Sequence, residues 1–215
     1  MQFDVARAIG AVTREVESRQ HEGRLARVVV ASRSYDTDVD DLWDALTSAE
    51  RIPRWFLPVS GELKLGGRYQ LQGNAGGTIT ACEPPRRLEL TWEMGPAVSW
   101  VTVTLTPDAE GRTRLELEHM AHAEAHWEQF GPGAVGVGWD LTLMGLGRHL
   151  ESGAPVDPAA AMAWSASDEG NAFIRRSSED WGRAAAASGE DPAWAKAAAA
   201  RTTAFYTGAP PPAET

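Results

Sequence analysis

The sequence predicts an α+β fold: a seven-stranded curved antiparallel sheet gripping a long C-terminal helix, preceded by an N-terminal helix and followed by a C-terminal helical extension. Three observations predict it. Between residues 60 and 120, segments of alternating polar and apolar residues recur with turn residues between them, the pattern of strands with one dry face. Trp139, Leu143, Leu146 and Leu150 then fall on one face of a helix. Beyond Gly153 the chain turns alanine-rich, in segments that open at Asp-Pro or Ser-Asp-Glu and close at glycine, as capped helices do.

The elements follow in order. Residues 3–20 read as an amphipathic helix, because Val5, Ile9, Val12 and Val16 recur at helical spacing, and Gly23 ends it. Val28, Val29 and Val30 make residues 24–36 a strand. Asp38 caps a helix carrying Val39, Leu42, Trp43 and Leu46, and Ser48 opens a shorter one over 49–56 that stops at Leu57-Pro58. Three hairpins come next: 60–65 with 67–73, 77–83 with 86–94, and 98–106 with 112–120. In them Leu88, Leu90 and Trp92 share one face, as do Val101, Val103 and Leu105, and Leu115, Leu117 and His119.

A helix over 134–151 supplies the cover for the dry face. Its glycines, Gly136, Gly138, Gly145 and Gly147, each cost roughly 1 kcal/mol against alanine. Close backbone packing and room for a ligand are the two readings of them. The extension carries Trp164, Phe173, Ile174, Trp181, Trp194, Phe205 and Tyr206, which need a surface to dock on, either the sheet domain or a second copy of the chain. The expected organisation is an N-terminal helix over 1–23, the main domain over 24–151, the helical extension over 155–208 and a disordered tail over 209–215.

Composition narrows the function. A net charge of −10 repels phosphate backbones and anionic lipid surfaces, so nucleic acid is not an expected partner. No apolar run reaches the roughly 18 residues of a membrane span, so no membrane insertion is expected. The single cysteine, Cys82, cannot form an intrachain disulfide and reads as a small hydrophobe in a strand. Met1-Gln2-Phe3-Asp4 lacks the basic and apolar regions of a signal peptide, which makes the cytoplasm the expected location.

His119, His122 and His126 are the one histidine cluster. His119 and His122 face opposite sides of a strand, His126 falls in the loop before the long helix, and no cysteine pair or H-E-x-x-H spacing accompanies them, so no metal is expected. His119 lies on the inward face and is a weak candidate acid or base; the alternative is a core imidazole bonded to a backbone group. Among the aromatics Trp55, Phe56, Tyr69, Trp92, Trp100, Trp127 and Trp139, pocket lining competes with core packing. Tyr69 and Trp139 are favoured for the pocket, from an inward strand position and the covering helix. Gly73-Asn-Ala-Gly-Gly77 lacks the Lys-Ser/Thr of a phosphate loop and reads as a hairpin turn.

The segments Val39-Asp-Asp-Leu-Trp-Asp-Ala-Leu-Thr47, Arg54-Trp55-Phe56, Leu65-Gly-Gly-Arg-Tyr69, Cys82-Glu-Pro-Pro-Arg-Arg-Leu88, Leu90-Thr-Trp92, Gly111–His119 and Gly138-Trp139 with Leu143, Leu146 and Leu150 follow, in order, the pattern of a known family. Residues 24–151 resemble the SRPBCC (START-like, helix-grip) superfamily, and within it the bacterial proteins named after the activator of the 90-kDa heat-shock protein's ATPase. The resemblance implies a hydrophobic cavity between sheet and long helix, holding a small apolar or amphipathic molecule and no cofactor. On that footing the ligand-binding candidates are Trp55, Tyr69, Trp92, Trp100, His119, Trp139 and Leu143. Two alternatives stand beside binding. One is an enzyme of the polyketide cyclase, dehydratase or hydrolase kind using His119. The other is an interaction module, co-chaperone-like or forming a homodimer through the helical extension.

Overall fold

The computed structural model describes residues 4–210. Its elements in order are α1 (Val5–Gly10), β1 (Thr13–His21), β2 (Arg24–Tyr35), α2 (Val39–Thr47), a 3-10 turn (Ile52–Arg54), β3 (Val59–Gly61), β4 (Arg68–Leu71), β5 (Gly76–Glu83), β6 (Arg87–Met94), β7 (Ala97–Pro107), a second 3-10 turn (Ala109–Gly111), β8 (Thr113–His122), α3 (Ala125–Phe130), α4 (Gly133–Ser152), α5 (Pro158–Ser165), α6 (Asp168–Ala187) and α7 (Pro192–Thr207). The strands form one curved, unclosed antiparallel sheet of eight, ordered β1-β2-β8-β7-β6-β5-β4-β3. The eighth is β1, where a continuous helix was expected. Glu22 and Gly23 both have positive φ (50° and 74°), the two-residue reversal of a tight hairpin, so Thr13–His21 runs as a strand and the helix stops at Gly10. The second helix expected over 49–56 is only the turn Ile52–Arg54, which carries a proline in its first positions. Of the expected tail 209–215, residues 211–215 lie outside the described residues. No helix among the described residues is long and apolar enough to cross a membrane.

Contacts group the chain into two units that cut across its linear order: Met1–Ala31, His122–Leu141 and Asp157–Thr215 form one, Ser32–Ala121 and Thr142–Val156 the other. The first unit gathers α1 and β1 with the helices α5, α6 and α7. Ser167 caps α6 by accepting from Gly170 N–H, and Asp191 caps α7 by accepting from Trp194 N–H. Phe173, Ile174 and Trp181 of α6 are buried, with α1 and β1 packed against that helix. Gly136 is the close-approach glycine of α4: a Cβ there would stand 2.3 Å from the Trp181 ring, so only glycine lets the indole lie on the helix. Three side chains of α7 reach the terminal carbonyls of α3: Trp194 Nε1 donates to Glu128 O at 3.0 Å, Arg201 Nε to Gln129 O at 2.5 Å, and Thr202 Oγ1 to Phe130 O at 2.9 Å. Phe205 is the exception among the tail aromatics and stays 64% exposed.

The second unit holds strands β3 to β7, nearly all of β8, the end of β2, α2 and the second half of α4. The register assigns its faces. Leu90 pairs with Val101 and Val101 with His119, Leu88 with Val103 and Val103 with Leu117, and Leu105 with Leu115. Tyr69 pairs with Gly77, and Ile79 with Leu90. One face therefore carries Tyr69, Leu71, Ile79, Leu88, Leu90, Trp92, Ser99, Val101, Val103, Leu105, Leu115, Leu117 and His119, while Arg68, Arg87, Glu89, Glu93, Arg114, Glu116 and Glu118 stand on the other.

Candidate ligand-binding face

The apolar face of the second unit is the candidate site. At its β4–β6 side, Tyr69, Leu71 and Ile79 are buried together, and Phe56, Leu57, Leu63, Cys82, Leu88, Leu90 and Trp92 pack against them while remaining half-buried. Toward β7 and β8 the same face closes over, and Val101, Val103, Leu115 and Leu117 are buried. The face thus grades from a sealed core to an apolar surface that keeps some access to solvent.

A polar relay sits where the two regions meet. His119 Nε2 lies 2.8 Å from Ser99 Oγ, and the Ser99 hydroxyl donates to the Trp92 carbonyl at 3.1 Å. A hydroxyl has one proton, and this one is given to the carbonyl, so Ser99 accepts from His119 and Nε2 carries the imidazole hydrogen. The rings of His119 and Trp92 are 6.1 Å apart, tilted by 57°. Burial lowers the His119 pKa from 6.5 to about 4, so the ring is neutral at physiological pH. Tyr69 is anchored in the same way: its hydroxyl donates to the Thr91 carbonyl at 2.8 Å, and burial raises its pKa.

The structure brings Tyr69, Trp92 and His119 to one face and separates others from them. Trp100 lies apart from them. It pairs with Thr91 and with Met120, on the face opposite Trp92 and His119, because the two-residue period of a strand puts residue 100 across the sheet from Val101. Trp55 is held as core: its indole N–H donates to Ala45 O at 2.9 Å and its ring stacks on Phe56. Leu143 is buried, and its carbonyl accepts from the Tyr35 hydroxyl at 2.9 Å. Trp139 is buried in the first unit. Ser99 is the residue that sequence reading passed over, although the alternation of Val101, Val103 and Leu105 already put it on the dry face.

The three histidines are divided between the units, His119 in the second and His122 and His126 in the first. His122 belongs to the first unit, its ring 5.8 Å from that of His21. His126 sits in α3 and not in a loop, 5.1 Å from the Phe130 ring. Among the described residues no group of three or more His, Cys, Asp or Glu is arranged to hold a metal ion. The helix glycines favour packing over vacancy. A Cβ at Gly145 would meet Trp55 O at 3.0 Å, and one at Gly147 would meet Arg33 Nη2 at 2.7 Å.

Comparison with known proteins agrees with this architecture. The family described as activator of Hsp90 ATPase homolog 1-like protein matches residues 36–151, more than half of the chain. The crystal structure of CalU16 from Micromonospora echinospora is 35% identical over 84% of this chain and 99% of that one, with a TM-score of 0.64. MLL2253 from Mesorhizobium loti is 27% identical over 58% of this chain and 97% of that one, with a TM-score of 0.52. DynU16, a protein of the dynemicin biosynthetic locus, is 26% identical over 60% of this chain and 48% of that one, also with a TM-score of 0.52. No curated protein matches the chain. With the sheet, the long helix and the matched segment in agreement, the chain belongs to the activator of Hsp90 ATPase homolog 1-like family of the SRPBCC (START-like, helix-grip) superfamily.

Proposed function

We propose that the chain binds a small apolar or amphipathic molecule on the apolar face around Tyr69, Leu90, Trp92 and His119. One observation carries this reading: Leu88, Leu90 and Trp92 are only half-buried on a face whose neighbouring strands are sealed. Apolar surface left partly open beside a few fixed polar groups is the usual make-up of a ligand site. The similarity to DynU16, from a biosynthetic locus, supports a small organic molecule as ligand. The state of His119 favours binding over acid–base catalysis. An imidazole with a pKa of about 4 is not protonated to imidazolium at neutral pH, so it lacks an acidic proton to transfer, and it is a weak base.

Native mass spectrometry of the purified full chain, paired with thermal-shift screening against lipids and fused-ring aromatic ketones, tests the proposal. The expected result is a co-purifying mass or a ligand-dependent rise in Tm that is lost in Trp92→Ala and kept in Trp100→Ala. Equal loss in both variants, or no ligand in either assay, would overturn it.

A further inference from the structure

Arg33 stands apart from the other partly buried arginines. Arg14, Arg27, Arg51 and Arg114 each reach a carboxylate: Asp140 and Asp180, Glu190, Asp41 and Asp44, and Glu116. Arg201 reaches the end of α3. Arg33 reaches no carboxylate within ion-pair distance among the described residues, in a protein whose net charge is −10. Its one hydrogen bond among the described residues is long, from Nη1 to the Leu143 carbonyl at 3.3 Å, and that carbonyl already accepts from the Tyr35 hydroxyl. Its Nε is buried and has no acceptor.

The guanidinium is nevertheless held in place. Its Cζ lies 4.9 Å from the centre of the Tyr35 ring, within cation–π range. Gly147 lets it lie close against α4, because a Cβ at that position would come within 2.7 Å of Nη2 and 3.1 Å of Cζ. A half-buried guanidinium that is fixed in orientation, cut off from part of its hydration and left without a counter-ion gains most from an anion brought by another molecule. A planar carboxylate matches the fork of the guanidinium better than a point anion does.

We propose that Arg33 is an anion-binding residue that takes the carboxylate of a small organic acid, oriented by Tyr35 and admitted by Gly147. The site does not depend on the apolar-face reading and stands if that reading fails.

Titration of the full-length protein followed through the Arg33 Nε–H signal in proton–nitrogen NMR spectra tests this, with Arg33→Lys assigning the signal by its loss. Sodium benzoate, inorganic phosphate and sodium chloride are compared at matched ionic strength. Benzoate is expected to move the signal saturably, chloride is not, and the backbone amides of residues 143–147 are expected to follow benzoate in the wild type with about tenfold weaker binding in Arg33→Gln. A response that is equal and unsaturable in all three salts would be simple screening and would overturn the proposal. Saturation by phosphate but not benzoate would overturn the assignment to carboxylates, and unchanged benzoate binding in Arg33→Gln would overturn the assignment to Arg33.

Discussion

The two units handle interior polarity in opposite ways. In the first, charge is buried together with its opposite. Arg14 Nε donates to Asp140 Oδ2 at 2.9 Å and Nη1 to Asp180 Oδ2 at 3.2 Å, while Asp140 Oδ2 also accepts from Ser177 Oγ at 2.5 Å and from Trp181 Nε1 at 3.2 Å. Burial is the larger influence and raises the Asp140 carboxyl above the ordinary carboxylate range, against the downward pull of the Arg14 charge and these hydrogen bonds. The network ties β1, α4 and α6 together, so its task is structural. In the second unit the polar groups on the sheet's dry side are neutral, His119 with Ser99 and the hydroxyls of Tyr35 and Tyr69 on backbone carbonyls, and the guanidinium of Arg33 beside the Tyr35 ring reaches no carboxylate among the described residues. The contrast teaches where to look for function: a buried guanidinium paired with a carboxylate marks architecture, and one that reaches none marks a place for another molecule.

The largest expected effect breaks the first unit's side of the contrast. Asp140→Ala leaves Arg14 buried at its side chain and deprived of its main partner, and should cost about 3–5 kcal/mol in urea unfolding. Trp181→Ala removes a fully buried indole from the same network and should cost a similar amount, about 3–5 kcal/mol. A loss below about 1 kcal/mol in both would mean that the network holds nothing together.

A smaller effect comes from His119. Its pKa is depressed in the folded state, so the unfolded chain binds the extra proton between about pH 6.5 and pH 4. The stability from the neutral ring is therefore full above pH 6.5 and lost as the pH falls toward 4. Wild type should lose roughly 2 kcal/mol more than His119→Gln between pH 7 and pH 5, from the shift in the histidine pKa. Parallel pH profiles for the two proteins would refute a neutral, buried imidazole.

The smallest effect is expected at Arg33. Arg33→Met breaks no ion pair, so its stability should stay within about 1 kcal/mol of wild type, in contrast to Asp140→Ala. A loss of about 3 kcal/mol would place Arg33 with the structural arginines and erase the difference between the units.

Much of the fold was legible in local pattern. The caps at Asp38, Ser167 and Asp191 lie where the sequence puts them, and the alternation of β6, β7 and β8 assigns the right residues to the dry face. The miss at β1 came from four valine and isoleucine positions that also suit a helix, with Gly23 read as a helix stop when Glu22-Gly23 is a hairpin turn. The site was less legible. Face assignment predicted that Trp92 and His119 share a side but not that Ser99 would fix the imidazole tautomer. Arg14 and Asp140 are 126 residues apart, and periodicity gives a residue's face without naming its partner. That Arg33 reaches no carboxylate among the described residues is a property of three-dimensional neighbours and has no local signature.

The side chains of α7 that reach the end of α3 carry one further consequence. A helix of six residues is far too short to hold itself in water. It persists because Trp194, Arg201 and Thr202 occupy its final carbonyls from outside. The amides of α3 should therefore exchange with solvent at the rate at which α7 lifts away. The connector between the last strand and the long helix then becomes a built-in gauge of whether the end of the chain is docked.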